Sequence, residues 1–249
     1  MNINRLLKTG FLAGFFSAQL YAQVPFYCIV VDSAINAPAK PYGKAIGDIS
    51  GDNQPDLFIS SADDGGMHWY QYPGWKKHAI RTHGSWSEDC QLADIDNDGD
   101  NDVVNGNKQG LYWYENPLNA GGSIVARNWI EHAIGSDGTN IHDLEIADLN
   151  GDGKPDVAVR YEKENQQPVC IFLQMNPDEW MVFTNTNLSH KKGEGLALGD
   201  LDGDADVDMA LGNIWLENNG RGTGWEEHAY AKDMPEQMIL KIGYLVSQL

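Results

Sequence analysis

Sixteen oxygen-bearing side chains recur at a spacing that suits a hard cation. They lie in four nine-residue loops, 48–56, 94–102, 148–156 and 200–208, which read DISGDNQPD, DIDNDGDND, DLNGDGKPD and DLDGDADVD. Positions one, three, five and nine hold Asp48, Ser50, Asp52 and Asp56 in the first loop and Asp94, Asp96, Asp98 and Asp102 in the second. The third offers Asp148, Asn150, Asp152 and Asp156, and the fourth Asp200, Asp202, Asp204 and Asp208. Calcium takes six to eight oxygens at roughly 2.3–2.6 Å from carboxylates, amides, carbonyls and water. Alternate donors on a tight turn point inward together. The sixth position, the sharpest point, then favours a residue that tolerates positive φ. Asn53, Gly99 and Gly153 meet that demand, and Ala205 meets it poorly.

The loops are not EF-hands, which need a bidentate Glu at position twelve between helices. Position twelve is Ile59, Asn105, Val159 or Leu211, and each loop runs into a short strand-forming segment: DLFIS, DVVNG, DVAVR or DMALG. The loop is therefore a strand-to-strand turn. Asp and Asn favour turns on their own, so a metal-free acidic turn stays open at this point. Five aspartates within 94–102, and five more within 200–208, would then repel one another.

The elements that must hold these loops repeat with them. The first aspartates stand 46, 54 and 52 residues apart. After each second strand comes an aromatic one, MHWYQYP, LYWYENP, VCIFLQMNP or IWLEN, and then a Trp-led segment, WKKHAI, WIEHAI, WMVFTN or WEEHAY. The third copy lacks the His. Four strands per roughly 50 residues is the pattern of a propeller blade. Alternation along the aromatic strand makes Trp69, Trp113 and Trp215 packing residues. His78, His132 and His228 recur at one blade position, which suits an inter-strand hydrogen bond better than metal binding or catalysis. Residues 25–44 read as an outer strand and a connection into the first blade. After Tyr230 no further aspartate loop follows, so the expectation is four full blades with partial ones, an incomplete or truncated propeller.

The formal net charge is −19 over 249 residues. Residues 1–22 read as a secretory signal, with Arg5 and Lys8 before an apolar run and Leu20-Tyr21-Ala22 at the cut. Its removal takes the charge to −21. The loops account for much of that acidity, and four calcium ions would return eight charges. Such a surface argues against nucleic acid, whose phosphates need neutralising. No later segment is apolar enough to span a membrane. The three cysteines, Cys28, Cys90 and Cys170, match no zinc spacing and read as small buried hydrophobes.

A second set of residues has the types for proton transfer. Aligned on the loops, Tyr42, Glu88, His142 and Glu194 occupy one position at the start of each innermost strand. Gly43, Asp89, Asp143 and Gly195 follow them. The ends of the second strands add Ser60, Ser61, Asn105, Asn107, Arg160, Tyr161 and Asn213. A site of His142, Glu88, Glu194, Arg160 and Tyr161 could do acid–base work on a sugar, with the Arg neutralising a uronate carboxylate. Glu88, His142 and Glu194 also suit zinc or manganese, and a solvated rim without chemistry is the plainer alternative. No phosphate-binding glycine loop, G-x-S-x-G or H-E-x-x-H is present.

The fourfold D-x-[DNS]-x-D-G-x-x-D-like loop, each copy leading into an apolar strand, resembles the FG-GAP/VCBS repeat family, whose blades also build the head of integrin α subunits. The resemblance spans about residues 25–230. It implies an all-β propeller of four-stranded blades with Ca2+ held in the loop between the first and second strands. It also implies secretion and an extracellular partner. The expected organisation is a signal peptide at 1–22, a propeller at 23–230 and an atypical tail at 231–249. The expected function is a secreted calcium-binding protein that binds an extracellular glycan or protein. The alternative is a sugar-active lyase or dehydratase, because similar propellers occur in polysaccharide lyases and aldos-2-ulose dehydratases.

Overall fold

The computed structural model describes residues 27–34, 40–125, 129–136, 141–161, 169–184, 195–212 and 214–229. Expectations for residues 1–22, Glu194, Asn213 and 231–249 lie outside the described residues. The chain divides into Met1–Ser33 and Ala34–Leu249, and the second unit holds every strand.

Among the described residues, sixteen strands form four antiparallel four-stranded sheets. The first sheet is β1 (Pro41–Gly47), β2 (Asp56–Ser61), β3 (Met67–Gln71) and β4 (Lys76–Arg81). The second is β5 (Trp86–Ala93), β6 (Asp102–Asn107), β7 (Leu111–Glu115) and β8 (Ile130–Gly135). The third is β9 (Ile141–Ala147), β10 (Asp156–Tyr161), β11 (Val169–Asn176) and β12 (Glu179–Thr184). The fourth is β13 (Ala197–Gly199), β14 (Asp208–Leu211), β15 (Ile214–Asn218) and β16 (Trp225–Ala229). Each is a meander whose strands pair in chain order, as in a propeller blade. The expected all-β blade architecture holds.

The blades stack because a single sheet cannot cover its own apolar faces. The innermost strands pack in succession, β1 on β5, β5 on β9 and β9 on β13. The second strands sit in the middle and are buried on both faces, so DVAVRY in β10 is buried throughout. Alternation sends Val157 and Val159 toward the second blade and Ala158 toward the fourth. Three cores result, one between each pair of neighbouring blades. Trp69 and Trp113 are buried within them, as expected from their strands. The outermost strands β12 and β16 are largely exposed.

Two expectations need correcting. Residues 27–34 take no strand conformation, although FYCIVV has strand composition. Tyr27, Ile29 and Val30 are exposed, and propensity alone does not make a strand without a ladder to satisfy its backbone. Cys28 is exposed, while Cys90 and Cys170 are buried, and all three are free thiols. The recurring histidine also stacks on the third-strand tryptophan, and His132 makes the expected inter-strand hydrogen bond, to Glu115 at 2.8 Å. Ring centroids lie 4.3 Å apart for Trp69–His78, 4.1 Å for Trp113–His132 and 4.5 Å for Trp215–His228.

Candidate functional site

Each aspartate loop is wound around its first carboxylate. Asp48 Oδ1 accepts the N–H groups of Gly51 at 2.7 Å and Asp52 at 3.1 Å, and its Oδ2 accepts that of Asn53 at 2.7 Å. Asp148 repeats the pattern with Gly151, Asp152 and Gly153. Asp94 and Asp200 do the same with fewer donors. The chain reaches positive φ at position six in all four loops, at 61° for Asn53, 94° for Gly99, 82° for Gly153 and 77° for Ala205. It does so at position four as well, where Gly51, Asn97, Gly151 and Gly203 stand.

The ninth aspartate ties the loop into its blade. Asp56, Asp102, Asp156 and Asp208 are all buried. One oxygen of each accepts the N–H of loop position two, that of Ile49, Ile95, Leu149 or Leu201. The other accepts the N–H of Tyr72, Asn116, Gln174 or Asn218, the residue at the end of the third strand. Three of those residues then reach into the preceding blade. Asn116 donates to the carbonyl of Ile49 at 3.0 Å, Gln174 to that of Ile95 at 2.9 Å and Asn218 to that of Leu149 at 2.8 Å. Sequence reasoning missed this latch.

The loops bring together oxygen donors that fit a divalent cation. In the second loop one carboxylate oxygen each from Asp94, Asp96 and Asp102 lies within 4.8 Å of the others, and Asp200, Asp202 and Asp208 repeat this in the fourth. In the first loop Ser50 Oγ is buried with no hydrogen-bond partner at position three. An orphaned buried hydroxyl is costly unless something else takes its lone pair. Burial, reinforced by neighbouring aspartates, pushes the Asp102 carboxyl up to about 8 and that of Asp100 to about 6. Asp156 rises to about 6, again through burial first. Asp208 and Asp96 shift the same way. Carboxylates crowded and desolvated like this gain from a cation beside them.

The other end of the innermost strands carries the second cluster. Tyr42 on β1 donates its hydroxyl proton to Glu88 Oε1 on β5. Glu88 Oε2 lies 2.9 Å from Nε2 of His142 on β9. His142 Nδ1 stands 3.2 Å from Asp143 Oδ2, which accepts the Gly195 N–H at 2.8 Å. Three blades thus contribute to one hydrogen-bonded row at the end opposite the aspartate loops. With a carboxylate oxygen at each ring nitrogen, His142 donates to both only as the cation. Asp143 is buried, whereas Glu88 keeps 36% of its side chain exposed and His142 18%. Arg160 and Tyr161 do not join them at the surface. Arg160 is 2% exposed and donates to the Gly195 carbonyl, and Tyr161 is packed in the core between the second and third blades. Ser60, Ser61 and Asn105 are likewise buried.

This fold and these loops define a blade-built, acidic-loop repeat protein. Residues 48–105 and 94–159 match a family model described as FG-GAP-like repeat. Those residues, a little under half of the chain, resemble the repeat that the loops suggested. No curated protein matches the chain. Among solved structures, it is similar to an Agrocybe aegerita lectin solved for specific recognition of non-reducing terminal N-acetylglucosamine. That likeness has a TM-score of 0.53 and 18% identity over 76% of this chain and 52% of the lectin. It is also similar to the V. cholerae biofilm matrix protein Bap1, at TM-score 0.44 and 14% identity over 74% of this chain and 30% of that one. A Bacillus licheniformis rhamnogalacturonan lyase gives TM-score 0.43 and 12% identity over 74% and 41%. The chain therefore spans about half the length of the lectin and less of the other two.

Proposed function

We propose that this chain is a secreted, calcium-fastened blade protein that binds an extracellular glycan along the Tyr42–Glu88–His142 row. The observation that carries the reading is that row. Polar side chains from three successive blades meet at equivalent positions, partly exposed, on a scaffold whose apolar residues keep one pattern. An aromatic ring beside fixed hydrogen-bonding groups suits a sugar, which offers C–H faces and hydroxyls. The lectin likeness supports the ligand class. The signal-like leader supports export. Calcium would be held by positions one, three, five and nine of the loops, far from the row, and would supply stability rather than chemistry.

The test is glycan-array binding in calcium by the full chain, with Glu88→Gln and His142→Ala beside it. Retention of a saccharide that both substitutions weaken is expected. Binding that ignores both, or no retention at all, would sink the reading. Asp98→Ala should lower the melting temperature in millimolar calcium and change it little in chelator, because it removes a loop oxygen.

One observation favours a second reading, an enzyme acting on acidic sugars. His142 has a carboxylate oxygen at each ring nitrogen, so once protonated it would have a proton to give and a base beside it. Release of unsaturated uronate, followed by ultraviolet absorbance and abolished in His142→Ala, would establish that reading over simple binding.

A further inference from the structure

The fourth blade carries an arrangement that its neighbours lack. In β15 and β16, Glu217 and Glu226 stand directly opposite each other in the antiparallel register. Like charges so placed repel, and the other blades avoid it. The first blade pairs Gln71 with Lys76 at that point, and the second pairs Glu115 with Ile130. Two residues along β16, on the same face as Glu226, comes His228. One ligand atom each from Glu217, Glu226 and His228 lies within 4.8 Å of the others.

The histidine is held as its second-blade counterpart is. In the second blade, His132 Nε2 makes a hydrogen bond of 2.8 Å to Glu115 Oε2. In the fourth, His228 Nε2 forms an ion pair of 2.7 Å with Glu217 Oε2. The indole of Trp215 stacks on the ring and fixes its orientation. The imidazole, ion-paired with Glu217, therefore faces two opposed carboxylates across one strand pair.

We infer that Glu217, Glu226 and His228 form a binding site for a divalent transition metal of the zinc class, separate from the aspartate loops. Imidazole nitrogen with two carboxylates suits zinc better than calcium, which takes oxygen only. Ligands on zinc at roughly 2.0–2.1 Å sit no more than about 4 Å apart, so a small rotamer adjustment closes the set. Three protein ligands leave one tetrahedral position for water or a partner's group. The ion would cancel the Glu217–Glu226 repulsion and cross-link β15 to the outermost strand β16.

The test is a zinc titration of the full chain in excess calcium, which keeps the aspartate loops loaded. One equivalent is expected, and Glu226→Gln should weaken it by at least about tenfold, since one of three charged ligands becomes a poor donor. Glu226 is exposed, so the variant folds. Ile130→Glu supplies the missing carboxylate to the second blade and should add a second equivalent. Cobalt bound at His228 lies beside the Trp215 ring and should quench its fluorescence, and Trp215→Phe should remove that quenching. No zinc bound in calcium, equal affinity in Glu226→Gln, or quenching that survives Trp215→Phe would each overturn the site.

Discussion

Ala205 holds φ at 77° where the other loops place Asn53, Gly99 and Gly153. A left-handed backbone brings Cβ against the following carbonyl and costs an L-residue about 1 kcal/mol or more. Asn offsets the cost with its local hydrogen bonding, and Gly avoids it. Alanine does neither. Its N–H still reaches Asp200 Oδ2, at 3.2 Å, whereas the equivalent bond of Asn53 measures 2.7 Å. Ala205→Gly should therefore stabilise the protein by about 0.5–1 kcal/mol, the strain relieved less the entropy that glycine adds to the unfolded chain. The gain should appear in calcium and in chelator alike, because the strain belongs to the backbone. Urea denaturation measures it, and an unchanged or lowered midpoint would mean that the turn carries no such cost.

Among elements, the end of each third strand decides how one blade is joined to the last. Asn116 is buried, and its amide nitrogen donates both to Ile49 of the first blade and to Asn101 of its own loop. Asn116→Leu keeps the volume but orphans two carbonyls. Each orphan costs roughly 1–3 kcal/mol where water cannot reach, so a loss of about 2–4 kcal/mol in urea denaturation is expected. Asn101→Leu keeps both Asn116 bonds and removes only the part-buried bond from the Asn101 side chain to the Asp48 carbonyl, so it should cost less. Equal losses would mean that the Asn116 amide adds nothing to the latch. The strands themselves were legible because their signals are local: aspartate spacing, strand alternation and turn residues all lie within one repeat. The latch was not, because its partners lie 67, 79 and 69 residues away and its side chain is Asn, Gln or Asn in motifs that read as ordinary turns. The same limit applies at the other end of the blades. Alignment put Tyr42, Glu88 and His142 at one position, but only packing of β1, β5 and β9 shows that they touch. Arg160 has the chemistry for an anion, and burial directs it to a backbone carbonyl instead.

At the scale of the whole molecule, the four loops govern how stability answers to pH and to metal together. Each inter-blade core draws on two blades, so a gain at one loop is shared across a core rather than confined to a turn. In chelator, burial holds the Asp102 carboxyl near 8 and those of Asp100 and Asp156 near 6, against about 3.9 in an unfolded chain. A group raised on folding keeps its full stabilising effect below the unfolded value, and that effect is lost as pH climbs through the folded one. The metal-free protein should thus lose stability from about pH 4 to about pH 8. Asp102 alone contributes up to about 1.4 kcal/mol per pH unit, since the folded state binds one proton more than the unfolded. Bound calcium would reverse the trend, because it binds carboxylates only after their protons leave, and rising pH removes its competitor. The formal charge of −19 adds repulsion that such ions would relieve. Melting temperatures taken with calcium and with chelator should therefore lie close at pH 5 and separate steadily toward pH 8. Parallel curves would show that the buried aspartates neither titrate nor meet the ion, and the loops would then be turns alone.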